Sequence, residues 1–216
     1  KGIVFDGTQR EDYILELTET KKTSEKIAFD CTILSEGGKL PTFHYKASVT
    51  LIHKSAKVET PRFEHQISGT YTPTDGKTVY EDGSLFHGPH FQGIDQILDW
   101  TKEQIVLSCK APAVPKKEQG QFGVRSVNTF FSVIQYQGMV IWVQRYFEGG
   151  KSLPLQTNSA TIYKAIPFDQ SLFVHIKIEE SSEFKMMATC TVYDAQGEVY
   201  MLTEGATITV SKQLTW

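Results

Sequence analysis

The chain has 216 residues and a mass of 24.4 kDa, room for one large domain or two small ones. With 40% hydrophobic and 22% charged residues, its composition excludes disordered and collagen-like chains. The 22 basic and 25 acidic residues leave a net charge of -3, so no cationic excess exists for a nucleic-acid backbone. No apolar run reaches the roughly 18 residues of a membrane helix.

Residues 1–7 (KGIVFDG) read as a strand and not as a signal peptide. The chain is therefore expected to be a piece of a longer polypeptide or a processed product. Period-two alternation then marks three strands. Residues 12–20 set Tyr13, Leu15 and Leu17 against Ile14, Glu16 and Thr18. Residues 26–34 set Ile27, Phe29, Cys31 and Ile33 against Ala28, Asp30 and Thr32. Residues 42–53 alternate Phe43, Tyr45, Ala47, Val49 and Leu51 with His44, Lys46, Ser48 and Thr50.

Residues 55–83 are polar, with Pro61, Pro73 and an Asp75–Gly76 turn, and read as a connector of weak structure. Residues 104–110 read as a strand and 111–120 as a loop. Residues 125–146 are the helix candidate. Val127, Phe130, Phe131, Ile134, Gly138 and Ile141 recur at three- and four-residue spacing, and no Asp, Glu, His, Lys or Arg lies between 126 and 144. A helix apolar on nearly all sides must be wrapped by protein. Strands follow at 160–166, 172–180, 184–193 and 199–210, the last two joined by the turn DAQG at 194–197.

The strands after the helix repeat the pattern of the first quarter. Residues 3–5 match 161–163, residues 13–17 match 173–177, and residues 29–33 match 186–190. Two sheets, each built to wrap a helix, account for the repeat, with the first helix upstream of Lys1.

Cys31, Cys109 and Cys190 are odd in number and widely spaced, with no metal-ligand pattern, so buried thiols in a reducing compartment are expected. His44, His53 and His175 share strand faces with lysines and read as solvent-facing; His65 lies in the connector. His87 and His90 flank a Gly-Pro turn and carry the functional case among the histidines.

Residues 86–94 read FHGPHFQGI. This motif and the order of elements around it resemble the dehydratase domains of polyketide synthases, nearest in pattern to bacterial polyunsaturated fatty acid synthases. The family's motif has the form YGPxFQGL. Gly88, Pro89, Phe91, Gln92 and Gly93 match it, with His87 in place of Tyr and Ile94 in place of Leu. The resemblance implies an α+β double hotdog. Residues 1–54 would be strands of a first, incomplete unit, 55–83 the connector, and 84–216 the second unit. It also implies a substrate, a 3-hydroxyacyl chain on the phosphopantetheine of an acyl carrier protein, and a 2-enoyl thioester product. Neither cofactor nor metal is implied. Neighbouring synthase domains and a second copy are the other partners, without nucleic acid or membrane, in the cytoplasm. His87, Gly88, Pro89, Phe91, Gln92 and Gly93 are the substrate-tunnel candidates by this resemblance.

Dehydration needs a base for the proton beside the thioester carbonyl and an acid for the leaving hydroxyl. The family takes these from an HxxxGxxxxP motif and from an Asp in a DxxxQ or DxxxH helix. The first motif is absent. The Asp position falls at Asn128 or Ser132, neither a carboxylic acid, and Gln135 and Gln137 fit the later pattern. Three readings follow: a dehydratase-like domain completed from elsewhere, a non-catalytic module for structure, dimerisation or carrier-protein docking, and a β-rich carrier of a small apolar ligand.

Overall fold

The computed structural model describes residues 12–36, 40–53, 59–64, 66–119 and 128–214. The chain divides into two compact units, Lys1–Val58 and Glu59–Trp216. The first holds three antiparallel strands in sequence order, β1 (Asp12–Lys22), β2 (Lys26–Glu36) and β3 (Thr42–Ile52). Alternation sorts their side chains. Leu15 and Leu17 stand opposite Ile33 and Cys31, which stand opposite Tyr45 and Ala47. The other face is polar, with the Ser48 hydroxyl donating to the Asp30 carboxylate at 2.7 Å. Among the described residues no helix belongs to this unit.

The second unit is an eight-stranded sheet with one long helix. Its strands are β4 (Thr74–Asp75), β5 (Ile94–Trp100), β6 (Gln104–Lys110), β7 (Pro154–Gln156), β8 (Ser159–Ile162), β9 (Ser171–Ser181), β10 (Lys185–Tyr193) and β11 (Val199–Thr209). The order across the sheet is β4-β5-β6-β9-β10-β11-β7, with β8 also paired to β11. A four-residue helix, α1 (Thr78–Glu81), precedes the long helix α2 (Thr129–Tyr146). The expected helix over 125–146 thus appears from Thr129; residues 120–127 lie outside the described ones, as do 3–5 and His65.

Buried residues lie on every side of α2, including Phe131, Ile134, Met139, Ile141 and Val143. Each such side chain contributes about 1.5–3 kcal/mol by leaving water. The helix lies close to the sheet because Gly138 faces Ile176 and Leu107, where a Cβ would fall 2.4 Å and 2.9 Å from their Cδ1 atoms.

Strand register corrects the repeat. Cys31 pairs with Leu17, while its counterpart Ala188 pairs with Ile178. Residues 13–17 therefore match 174–178, one residue on from the expected 173–177. One residue exchanges the faces of a strand. Leu15 thus corresponds to Ile176, which faces α2, and not to His175 on the opposite face.

Two histidines expected at the surface are buried. His44 occupies the extra position of a bulge, since Ile33 pairs with Tyr45 and Leu34 with Phe43. It bonds the Ser35 hydroxyl at 2.8 Å. His175 is 4% exposed and bonds Gln104 Oε1 at 2.9 Å. The segment expected as a weakly structured connector covers it. Val199 N–H donates to Pro61 C=O, and Phe63 N–H to Gly197 C=O. The Phe63 ring lies 5.0 Å from His175 and 4.8 Å from Tyr193.

Further on, Ser68 fastens the same segment to Asp99. Its N–H and hydroxyl donate to the carboxylate at 2.9 and 2.6 Å, and Gln104 Nε2 adds a bond at 2.6 Å. Burial pushes the Asp99 carboxyl up, but these bonds outweigh it and hold its pKa below the usual value. A depressed carboxylate contributes stability above the ordinary Asp pKa near 3.9 and loses it as pH falls through the folded value. Asp99→Asn is therefore expected to cost about 2 kcal/mol at pH 7, since an amide nitrogen would face donors. Urea unfolding of both proteins at pH 7 and pH 3 checks this, with a smaller gap at pH 3.

Candidate functional site

The GPHFQG motif stands against α2. Gly88 has φ -70° and ψ 170°, an extended conformation open to any residue, and a Cβ there would meet nothing within 4 Å. Pro89 opens a single 3-10 turn, Pro89–Phe91. Gln92 folds back, its Nε2 donating to the His87 carbonyl at 2.9 Å. Phe91 is half-buried, its ring 5.0 Å from Phe130 of α2. Gly93 is where close approach is needed: a Cβ would fall 2.4 Å from Ile134 Cδ1 and 2.8 Å from the Lys110 carbonyl oxygen.

Glutamines of α2 moor this segment in place of charged groups. Gln137 Nε2 donates to the Phe91 carbonyl at 2.8 Å, and Gln144 Nε2 to the Ser84 carbonyl at 2.8 Å. The Tyr80 hydroxyl donates to Gln137 Oε1 at 2.8 Å and accepts from Ile94 N–H at 3.2 Å. Burial pushes the Tyr80 phenol up, so it stays a neutral donor. The sequence does not reveal Tyr80 or this role of Gln137, because their partners lie up to 57 residues away.

His87 is half-buried, and its ring stacks on Phe86 at 4.7 Å and 16°. Its Nδ1 is buried without a hydrogen-bond partner. Burial lowers its pKa, so the imidazole is neutral at pH 7. His90 is exposed, with Nε2 3.3 Å from Glu118 Oε2.

Asn128 and Ser132 meet at the start of α2. Asn128 is 2% exposed. Its Oδ1 caps the helix by accepting from Phe131 N–H at 3.0 Å, and its Nδ2 donates to the Ile166 carbonyl at 3.2 Å. Ser132 Oγ donates to the Asn128 carbonyl at 3.0 Å. Beyond Ile166 lies an open surface cavity of about 330 Å³ lined by Lys164–Phe168, Gln170 and Tyr200. Phe168, Phe130 and Phe91 form a line of rings from this cavity to the motif, at 5.9 and 5.0 Å. The site thus combines an apolar wall, a helix N-terminus, backbone carbonyls and one neutral imidazole. Among the described residues, no group of His, Cys, Asp or Glu is placed to hold a metal ion.

Comparison with solved structures decides the fold. The dehydratase domain of RzxB from Pseudomonas fluorescens superposes with a TM-score of 0.67 at 13% identity, covering 91% of this chain and 67% of that one. A trans-AT polyketide synthase dehydratase domain from Brevibacillus brevis gives 0.68 at 15% identity, covering 91% and 69%. The chain has the dehydratase-domain fold of polyketide synthases. In sequence, this dehydratase-like domain is 25% identical over 183 residues to one polypeptide of the polyunsaturated fatty acid synthase of a Thraustochytrium species. Those residues are 84% of the chain but only 6% of that synthase polypeptide. No family model matches the chain. Among the described residues of the dehydratase-like domain, no helix is long and apolar enough to cross a membrane.

Proposed function

We propose that this domain binds the pantetheine-linked acyl chain of an acyl carrier protein in a synthase and does not itself dehydrate it. Asn128 carries this reading. Of the two positions to which the resemblance assigns the acid, Asn128 is a carboxamide with both ends engaged, by Phe131 N–H and the Ile166 carbonyl, and Ser132 is a hydroxyl bonded to the Asn128 carbonyl. An amide does not protonate a leaving hydroxyl. The ring line from Phe168 to Phe91 is suited to an acyl chain, and the half-buried imidazole of His87 to a pantetheine amide or thioester.

One observation favours catalysis instead. The neutral, half-buried imidazole of His87 is suited to accepting a proton beside a thioester carbonyl. Titration calorimetry with 2-butenoyl-pantetheine, followed by mass spectrometry for added water, separates the two readings. Binding without hydration above the uncatalysed rate is expected. Hydration by the unaltered chain overturns the non-catalytic reading, and no binding by folded protein overturns the substrate class.

Asn128→Asp sharpens the test. A carboxyl there keeps the bond to the Ile166 carbonyl only when protonated, whereas the Phe131 N–H at the helix start favours its ionised form. The stability of that bond is present at low pH and lost as pH rises through the folded pKa. Hydration of 2-butenoyl-pantetheine gained by Asn128→Asp would support residue 128 as the acid position.

A further inference from the structure

We infer that Tyr80 is a positioning residue for His87, acting through Gln137. This rests on the reading of His87 as the group that faces the acyl-pantetheine. Three observations support the route. Gln137 is 0% exposed, so its amide must place both ends within protein. The Tyr80 hydroxyl, already accepting from Ile94 N–H, donates its proton to Gln137 Oε1. That fixes the orientation of the amide and leaves Nε2 for the Phe91 carbonyl, at 2.8 Å. An amide turned the other way would set an oxygen against that carbonyl.

The Phe91 carbonyl ends the short turn that begins after His87. Its N–H donates to the Gly88 carbonyl at 2.9 Å, and Gln92 Nε2 returns to the His87 carbonyl. His87 is thus held from one end by a turn whose other end is moored to α2. The groups against its ring are Phe86 at 4.7 Å and Phe91 at 6.4 Å, both uncharged. If the mooring slackens, the imidazole gains water.

The test follows the imidazole of His87 by NMR titration in the full chain, assigned by loss of its signal in His87→Gln. In Tyr80→Phe the midpoint is expected to rise toward the ordinary histidine value near 6.5. Gln137→Met should raise it similarly, and the double variant no further, because one route carries both effects. Tyr136→Phe removes another half-buried hydroxyl, bonded to Thr157, and should leave the midpoint unchanged. An unchanged midpoint in Tyr80→Phe or in Gln137→Met, with only the melting temperature lowered, overturns the inference.

Titration needs no ligand, so failure here is distinct from failure of the acyl-pantetheine reading. Where the unaltered chain binds 2-butenoyl-pantetheine, Tyr80→Phe should weaken binding several-fold. Equal binding with an unmoved midpoint assigns Tyr80 to structure alone.

Discussion

Gly93→Ala is expected to lower the unfolding free energy of the second unit by about 3 kcal/mol. The added methyl would fall 2.4 Å from Ile134 Cδ1 and 2.8 Å from the carbonyl oxygen of Lys110. Ile134 is 1% exposed and has little room to turn. The Lys110 carbonyl belongs to the backbone, and Lys110 N–H donates to the Gly93 carbonyl at 2.8 Å, so the two chains cannot part without losing that bond. Overpacking of this kind costs about 1–3 kcal/mol, with backbone displacement at the upper end. Gly138→Ala is the control. Its contacts, Ile176 and Leu107, are side-chain ends, and alanine returns about 1 kcal/mol of helix propensity at a mid-helix glycine. Its net cost should therefore be smaller. Denaturant unfolding ranks the two, and equal costs would show that the Lys110 carbonyl gives way.

The second large effect concerns the first sheet. Leu15 is 58% exposed, Leu17 57% and Leu51 54%, and Tyr45 and Val49 are exposed beside them on the same face. By register this is the face that corresponds to the one packed on α2 in the second unit. An apolar patch of this kind drives association. The chain is expected to bind an environment-sensitive dye and to form dimers or larger species as concentration rises. Replacing Leu15, Leu17, Val49 and Leu51 by Thr keeps β propensity and should cut dye fluorescence several-fold and shift sedimentation toward monomer. A monomeric, dye-silent unaltered chain would contradict this.

Most strands were legible in the sequence because burial on one face imposes period two. Residues 104–110 coincide with β6, and the expected strand over 172–180 differs from β9 by one residue at each end. The helix was legible because its lack of charge required a wrapped position. What was not legible depended on distant partners. Residues 59–64 and 66–68 look like connector because they are polar, yet Asp99 and Gly197 give them an ordered place. His44 alternates with apolar residues in sequence, and only a bulge in pairing turns it inward. The acid position was narrowed to Asn128 or Ser132, but the bond from Asn128 Nδ2 depends on the Ile166 carbonyl, in a loop that passes 38 residues later. The motif at 88–93 was found, whereas Tyr80, which moors it, carries no local pattern.

The crossing of the second sheet by residues 61–64 also bears on the order in which this unit is assembled. These residues are translated well before the strands they lie across. The partners at Gly197 and Val199 emerge among the last. The segment must therefore wait in solvent, which its polar composition permits, until β9, β10 and β11 have paired. During synthesis it stays open to proteases and chaperones, and its docking closes the sequence of events by which the newly made unit becomes resistant to cleavage.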